Sequence, residues 1–280
     1  MSHGQLGSDV LNERTVSVVI PAYREEAHIG RVIETMPGFV DRIIVIDDAS
    51  PDRTSEIARS HGGRVRVLRH TTRRGVGAAI ATGYATALDW PCSKRADEDA
   101  VAVMAGDGQM APEDLAEVVA PIVSGEADYV KGDRFGDPGV RSAMGLPRWI
   151  GGQIFSRLTS LAIGQAISDS QCGYTAISRR ALASLDLPGL WPSFGYPNDL
   201  LGQLAARGAR VCEVPVLPIY GSEISKLRLR HLPPIFYLIA RAAARRRASH
   251  RSVPPVGVVG VTRRDDTTKK GLQADSAVSS

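Results

Sequence analysis

Apolar residues fall along the chain in short unalternating runs separated by amphipathic stretches. Val16, Val18, Val19 and Ile20 form one run that stops at Pro21. A polar turn and a segment with Ile29, Val32, Ile33 and Met36 on one helical face follow, and a second run, Ile43 to Ile46, ends in Asp47-Asp48. Short runs of this kind joined by helices predict parallel strands covered on both faces. Strand–helix units are expected at 16–37, 43–61 and 65–89, the last with a helix whose small residues (Ala78, Ala79, Gly83, Ala87) would let it lie close to the sheet. A fourth strand at 100–104 runs into Ala105-Gly106-Asp107-Gly108-Gln109, and Pro112 opens a helix at its first turn, where proline is tolerated. Strand 128–131, helices near 148–163 and 198–207, and strand 210–217 complete the pattern, the last strand closing the sheet. Open sheets of this kind bind ligands beyond the carboxyl ends of their strands. Pro21-Ala22-Tyr23, Asp47-Asp48 and Asp107-Gly108-Gln109 all stand there.

Composition bounds the rest. A chain of 280 residues with 43% hydrophobic content can bury one full core with a small appendage. Four segments are expected: a polar lead-in at 1–14, an α/β domain at 15–222, a basic amphipathic segment at 223–251 and a disordered tail at 252–280. A net charge of +4 is too small to imply nucleic acid. Cys92, Cys172 and Cys212 are isolated, which argues against a disulfide framework or structural zinc. No signal-peptide-like stretch opens the chain and no run is long enough to span a bilayer, so a cytoplasmic, peripheral protein is expected.

Residues 226–251 carry Lys226, Arg228, Arg230, Arg241, Arg245, Arg246, Arg247 and Arg251, with no acid. Between them, Leu232 to Ala240 is apolar: too short to cross a membrane, but suited to lie in its interface. Basic flanks add about 1 kcal/mol each near anionic lipid, so an anionic membrane surface is an expected partner. The alternative is a helix packed on the domain with a solvated basic end. Asp52, before Arg53-Thr54-Ser55-Glu56, reads as a helix N-cap and so as structural.

Pro21-Ala22-Tyr23-Arg24-Glu25-Glu26 followed by Val45-Ile46-Asp47-Asp48-Ala49-Ser50 resembles the opening of a family 2 glycosyltransferase, whose usual forms are P-x-Y-N-E and V-D-D-x-S. Arg24 stands where the usual residue is Asn. The resemblance implies a GT-A-type, Rossmann-like α/β fold, with a mostly parallel sheet flanked by helices, that transfers a sugar from a nucleotide diphosphate. It places Pro21, Tyr23, Glu25, Asp47, Asp48 and Gly75 at the donor nucleotide, Gly75 lying in Arg73-Arg74-Gly75-Val76-Gly77, a near match to N-x-G-x-G-x-A. That glycine loop reads as packing against the donor site.

Asp107-Gly108-Gln109 matches the second half of the D-x-D-x-Q segment of polyprenyl-phosphate sugar synthases, with Ala105 in place of the first Asp. A pyrophosphate donor needs a divalent cation against the charge on its leaving phosphate. One carboxylate with one amide oxygen suits Mg²⁺ or Mn²⁺, so Asp107 and Gln109 are the expected ligands. Arg134 resembles the arginine of G-S-R, and with Arg148 could clamp an acceptor phosphate bidentately. Asp169 to Gly173 resembles D-x-x-x-G, giving Asp169 and Gln171 to the sugar, and Ser225 and Lys226 fall where an acceptor phosphate contact is expected. The implied reaction is inverting transfer of a hexosyl group from GDP-mannose or a UDP-hexose to a polyprenyl phosphate, with Asp107 and Arg134 catalytic. A soluble hydroxyl acceptor would instead need a base, for which Asp199 is the candidate. A nucleotide-sugar binding protein without turnover is the third reading.

Overall fold

A computed structural model of the chain describes residues 14–91, 97, 99–136, 144, 146–217, 219 and 232–252. Its centre is a seven-stranded sheet in the order β3-β2-β1-β4-β6-β5-β7. The strands are β1 (Val16–Ala22), β2 (Arg42–Asp47), β3 (Val65–Arg69), β4 (Ala100–Val103), β5 (Tyr129–Asp133), β6 (Thr175–Ser178) and β7 (Val211–Pro215). All pairings are parallel except those of β6, which runs antiparallel between β4 and β5. The unalternating runs are buried on both faces as their pattern requires. Val18 and Ile20 face one core and Val19 the other, all with no exposed surface.

The first core is closed by α1 (Ile29–Glu34), α2 (Thr54–Ser60) and α4 (Leu115–Val123), through Ile29, Val32, Ile33, Leu115 and Val119. The second is closed by α3 (Val76–Asp89), α5 (Leu146–Ile163), α6 (Arg179–Ala183), α7 (Tyr196–Ala206) and α8 (Leu232–Ser252). Small residues let α3 approach the sheet: a Cβ on Gly83 would stand 2.2 Å from Val19 Cγ1. Each fully buried Ile or Leu of these layers contributes about 1.5–3 kcal/mol.

Strand β6 was not anticipated. Its residues, Thr-Ala-Ile-Ser, directly follow a motif that reads as a polar turn, and only pairing on both sides makes four residues a strand. The C-terminal segment also departs from a purely outward basic face. In α8, Ile235, Leu238, Ile239 and Ala242 are buried against the domain. Arg241 and Arg245 turn inward to Asp199, which has no exposed surface. No helix among the described residues is long and apolar enough to cross a membrane. Ser225, Lys226, Cys92 and nearly all of the expected lead-in and tail lie outside the described residues, and so does the side chain of Arg148.

Candidate active site

The site is built at the edge where β1, β2, β4 and β5 end and β6 begins. After β1 the chain turns sharply. Arg24 sits at φ 60°, a left-handed conformation, and its N–H donates to Ser50 Oγ at 3.0 Å. The N–H of Glu25 donates to Thr54 Oγ1 at 2.9 Å, and its carbonyl accepts the N–H groups of His28 and Ile29, starting α1. Asp52 Oδ1 accepts the Thr54 N–H at 3.2 Å and the Thr54 hydroxyl at 2.6 Å, but the N-cap position of α2 falls to Arg53, so Asp52 fixes the turn that leads into the helix rather than capping it. Pro21 and Tyr23 stay partly exposed on the rim. The Arg73 guanidinium lies 3.9 Å from the Tyr23 ring centroid, within cation–π range.

The adjacent carboxylates after β2 avoid repulsion by dividing their partners. Asp47, fully buried, accepts the Ser50 N–H at 2.8 Å and the Ser55 hydroxyl, with Arg69 Nε 3.7 Å away. It shapes its own loop and presents no surface to a ligand. Asp48 faces the glycine loop instead. The N–H groups of Arg74 and Gly75 donate to its Oδ1 and Oδ2 at 2.8 and 2.7 Å, and His70 Nδ1 lies 2.8 Å from Oδ1. Burial raises the Asp48 carboxyl, but these donors outweigh it and hold the group below its usual value. Because an ionised Asp48 offers only acceptors, Nδ1 of His70 carries a proton. Nε2 meets Thr82 Oγ1 at 3.0 Å.

Gly75 has φ 99°, and a Cβ there would stand 2.5 Å from the Pro192 carbonyl oxygen. A Cβ on Gly77 would meet the Trp191 carbonyl oxygen at 2.0 Å. The glycines thus pack this loop against residues 191–193, while the Gly75 N–H is spent on Asp48.

Beyond β4, Asp107 Oδ1 accepts the Gln109 N–H at 3.2 Å, and the Ile219 N–H donates to the Gln109 carbonyl at 2.9 Å. Asp107, Gln109 and Arg134 line one cleft of about 70 Å³, closed by Cys172, Gly173, Tyr174 and Leu217. Arg134 is held from behind. Its Nε and Nη2 donate to Asp169 Oδ2 and Oδ1 at 2.6 and 3.0 Å, a bidentate pair. Asp169 has no exposed surface. Burial raises its carboxyl, but the charges of Arg134 and Lys131 and the hydrogen bonds from Arg134 hold it below the usual value. Asp169 therefore orients Arg134 and does not face a sugar, a correction to its expected role. Gln171 is turned to its own loop, with Nε2 donating to Ser170 Oγ at 3.1 Å.

The helix carboxylate considered as a base is also committed. Asp199 accepts the Trp191 N–H at 3.0 Å and Arg245 Nη1 at 2.5 Å, with Arg241 Nη1 at 3.4 Å.

Residues 17–185 match the family model Glycosyl transferase family 2. The chain belongs to that family. It is a glycosyltransferase with a GT-A-type fold. Among relatives, it is 33% identical to an uncharacterised protein of Methanocaldococcus jannaschii over 75% of this chain and 84% of that one. It is 31% identical to polyprenol monophosphomannose synthase of Mycolicibacterium smegmatis, covering 73% and 77%. It is 29% identical to UDP-N-acetylglucosamine–dolichyl-phosphate N-acetylglucosaminyltransferase of Methanococcus voltae, covering 74% and 87%. Among solved structures, glucosyl-3-phosphoglycerate synthase of Mycobacterium tuberculosis with UDP superposes with TM-score 0.64 at 23% identity, covering 87% and 86%. The same enzyme with Mn²⁺, UDP-glucose and phosphoglyceric acid gives 0.64 at 22%, covering 87% and 86%.

Three residues of this glycosyltransferase escaped the sequence reading. Lys131 has no exposed surface and donates to the Cys172 carbonyl at 2.5 Å, pinning the loop that ends beside the cleft. Burial pushes its ammonium below the usual lysine range. Glu213 accepts the Ser168 and Asp169 N–H groups at 2.7 and 3.0 Å, and His70 backs Asp48. A lysine inside the otherwise apolar start of β5 was a signal for the first. The other two depend on contacts across 45 and 22 positions, and local sequence carries no trace of them.

Proposed function

We propose that the enzyme transfers a hexosyl group from GDP-mannose or a UDP-hexose to a polyprenyl phosphate, inverting the anomeric carbon. The observation that carries this reading is Arg134, a guanidinium lining the Asp107 cleft and held rigidly by the buried Asp169. Asp169 takes the Nε–Nη2 edge and fixes the guanidinium in place, and a positive charge so held suits a phosphate oxygen nucleophile. A lipid phosphate is already anionic near neutral pH and needs no base. The tying of Asp199 to α8 favours such an acceptor over a hydroxyl. Relatives named for dolichyl-phosphate and polyprenol-phosphate chemistry add support.

In the transfer, a phosphate oxygen of the acceptor forms a bond to the anomeric carbon as the bond to the nucleoside diphosphate breaks. Arg134 orients the attacking phosphate. Asp48, with the loop at Arg74 and Gly75, shapes the donor end, where Tyr23 and Pro21 offer a rim for the nucleotide. The donor set at Asp107 and Gln109 fits a hard cation: one carboxylate and one amide oxygen in a cleft open to substrate phosphates and water. Ala105 leaves no second carboxylate, and among the described residues no group of three or more His, Cys, Asp or Glu forms a metal cluster. The donor's own phosphates would complete the shell. Mg²⁺ or Mn²⁺ bound there supplies charge neutralisation for the departing diphosphate.

The test is Arg134→Gln. Turnover with polyprenyl phosphate should fall about a hundredfold or more, mainly through kcat and acceptor KM, while UDP or GDP binding by calorimetry stays within about twofold of wild type. Loss of nucleotide binding with an unchanged acceptor KM would reject the assignment.

A further inference from the structure

Six of the eight large apolar side chains exposed among the described residues lie on two packed helices: Leu146, Ile150, Ile154 and Leu161 of α5, and Phe236 and Tyr237 of α8. They are far from marginal, with Leu161 77% and Tyr237 59% exposed. On α5 the four fall at i, i+4, i+8 and i+15, within an arc of about 80° at 100° per residue. The opposite face carries Phe155, Thr159, Ala162 and Ile163, which are buried in the domain. Helix α5 is thus apolar on both faces, and a surface helix normally is not. The outward face of α8 has the same character, with Pro233, Phe236, Tyr237, Ala240 and Ala244 all exposed or half-buried.

The two helices adjoin. Phe155 of α5 and Phe236 of α8 pack with ring centroids 5.3 Å apart, and Arg246 Nη1 donates to the Leu161 carbonyl at 3.3 Å. Neither helix contains an Asp or Glu. Among the described side chains, the charges on the two outward faces are the exposed guanidiniums of Arg157 and Arg247. An apolar ridge studded only with arginine is matched by an anionic lipid surface, in which long basic side chains keep their heads at the phosphates. A second copy of the chain would bring two basic faces together with no acid to pair them. Helix α5 approaches the cleft with its inner side: a Cβ on Gly152 would stand 2.7 Å from Phe135, the neighbour of Arg134. The remaining two exposed residues, Leu217 and Ile219, lie where the chain passes the cleft and Gln109.

We infer that the α5–α8 face docks on an anionic bilayer and sets the Arg134 cleft at the lipid surface. This deepens the proposed function, and it assigns the docking to α5 as much as to the basic C-terminal segment. Arg241 and Arg245 are withdrawn from the lipid, because they hold α8 to Asp199.

The test is co-sedimentation of the full chain with vesicles of phosphatidylcholine, alone or with phosphatidylglycerol, at low and high salt. Neither lipid is a sugar acceptor, so the result stands whether or not the transfer reaction is correctly assigned. Wild type should bind the phosphatidylglycerol vesicles and release at high salt. The pair Ile150→Asp and Ile154→Asp should weaken binding about tenfold or more, and so should Arg157→Glu with Arg247→Glu. Unchanged thermal unfolding should show both variants folded. Asp107→Ala should bind as wild type. Equal binding by the ridge variants would overturn the inference, as would no binding of wild type. So would a concentration-dependent dimer that the same substitutions dissolve, since the occupant would then be a second copy.

Discussion

Replacing Asp199 by Asn separates two roles that a carboxylate on this helix can have. In the structure it has no exposed surface and accepts from Arg245, Arg241 and the Trp191 N–H. Removing one partner of a buried ion pair costs about 3–5 kcal/mol when the other charge is left dry. Here the arginine side chains keep 23% and 32% of their surface in water and can rehydrate. That lowers the expectation to about 2 kcal/mol. Asn still accepts the Trp191 N–H, so no orphan donor is added. For a domain of this size the loss corresponds to a Tm lower by about 4–8 °C. Asp199→Ala should lose about 1 kcal/mol more, because the Trp191 N–H is then unsatisfied. Turnover below the melting range should stay within a few-fold of wild type. The assay pairs calorimetric unfolding with kcat for sugar transfer at 20 °C. A kcat reduced by about 10²–10⁴ with Tm unchanged is what a general base would give. That result would refute the structural role and move the acceptor to a hydroxyl.

Other outcomes follow from the same geometry. Arg24 and Ala49 hold φ of 60° and 61°, so Arg24→Asn and Ala49→Gly should each stabilise by about 0.5–1 kcal/mol, read as a higher urea midpoint at constant slope. Hydrogen bonds from Arg210 come first among the causes that hold Asp128 well below its ordinary 3.8, with Arg180 adding to them. A depressed folded pKa gives stability that is present above the unfolded value and lost as pH falls through the folded one. Asp128→Asn should therefore lower stability by about 1 kcal/mol at pH 7, the pairing arginines being half-exposed, with the gap closing below pH 3.8. Gly77→Ala, whose Cβ would meet the Trp191 carbonyl oxygen, should destabilise by about 2 kcal/mol or more and weaken nucleotide binding in the same sample.

The strands β1 to β4 and their helices were legible because each apolar run is local, unalternating and followed by a helix with one apolar face. The edge at which these strands end was legible for the same reason, since strand ends are local features. Arg24 shows how the structure explains a motif: the turn after β1 needs a left-handed residue, which Asn tolerates better than Arg. What local sequence could not give is the set of partners. Asp47 and Asp48 look alike in the chain, yet one is sealed beneath its own loop and the other holds the glycine loop. Asp169 and Arg134 each suggested a ligand contact, and they prove to bind one another across 35 positions. The arginines of α8 read as a solvated or lipid-facing cluster, and two of them close on a buried carboxylate 42 and 46 positions away. Strand β6 is too short to announce itself without neighbours.

The most direct test of the proposed reaction is transfer from labelled GDP- and UDP-sugars with Mg²⁺ or Mn²⁺, to polyprenyl phosphate and, as control, to free polyprenol. Butanol-extractable label that requires the phosphate, requires the cation and is lost in Asp107→Ala is the predicted result. Label on free polyprenol or on a soluble acceptor alone, or nucleotide-sugar binding without turnover of any donor, would contradict it.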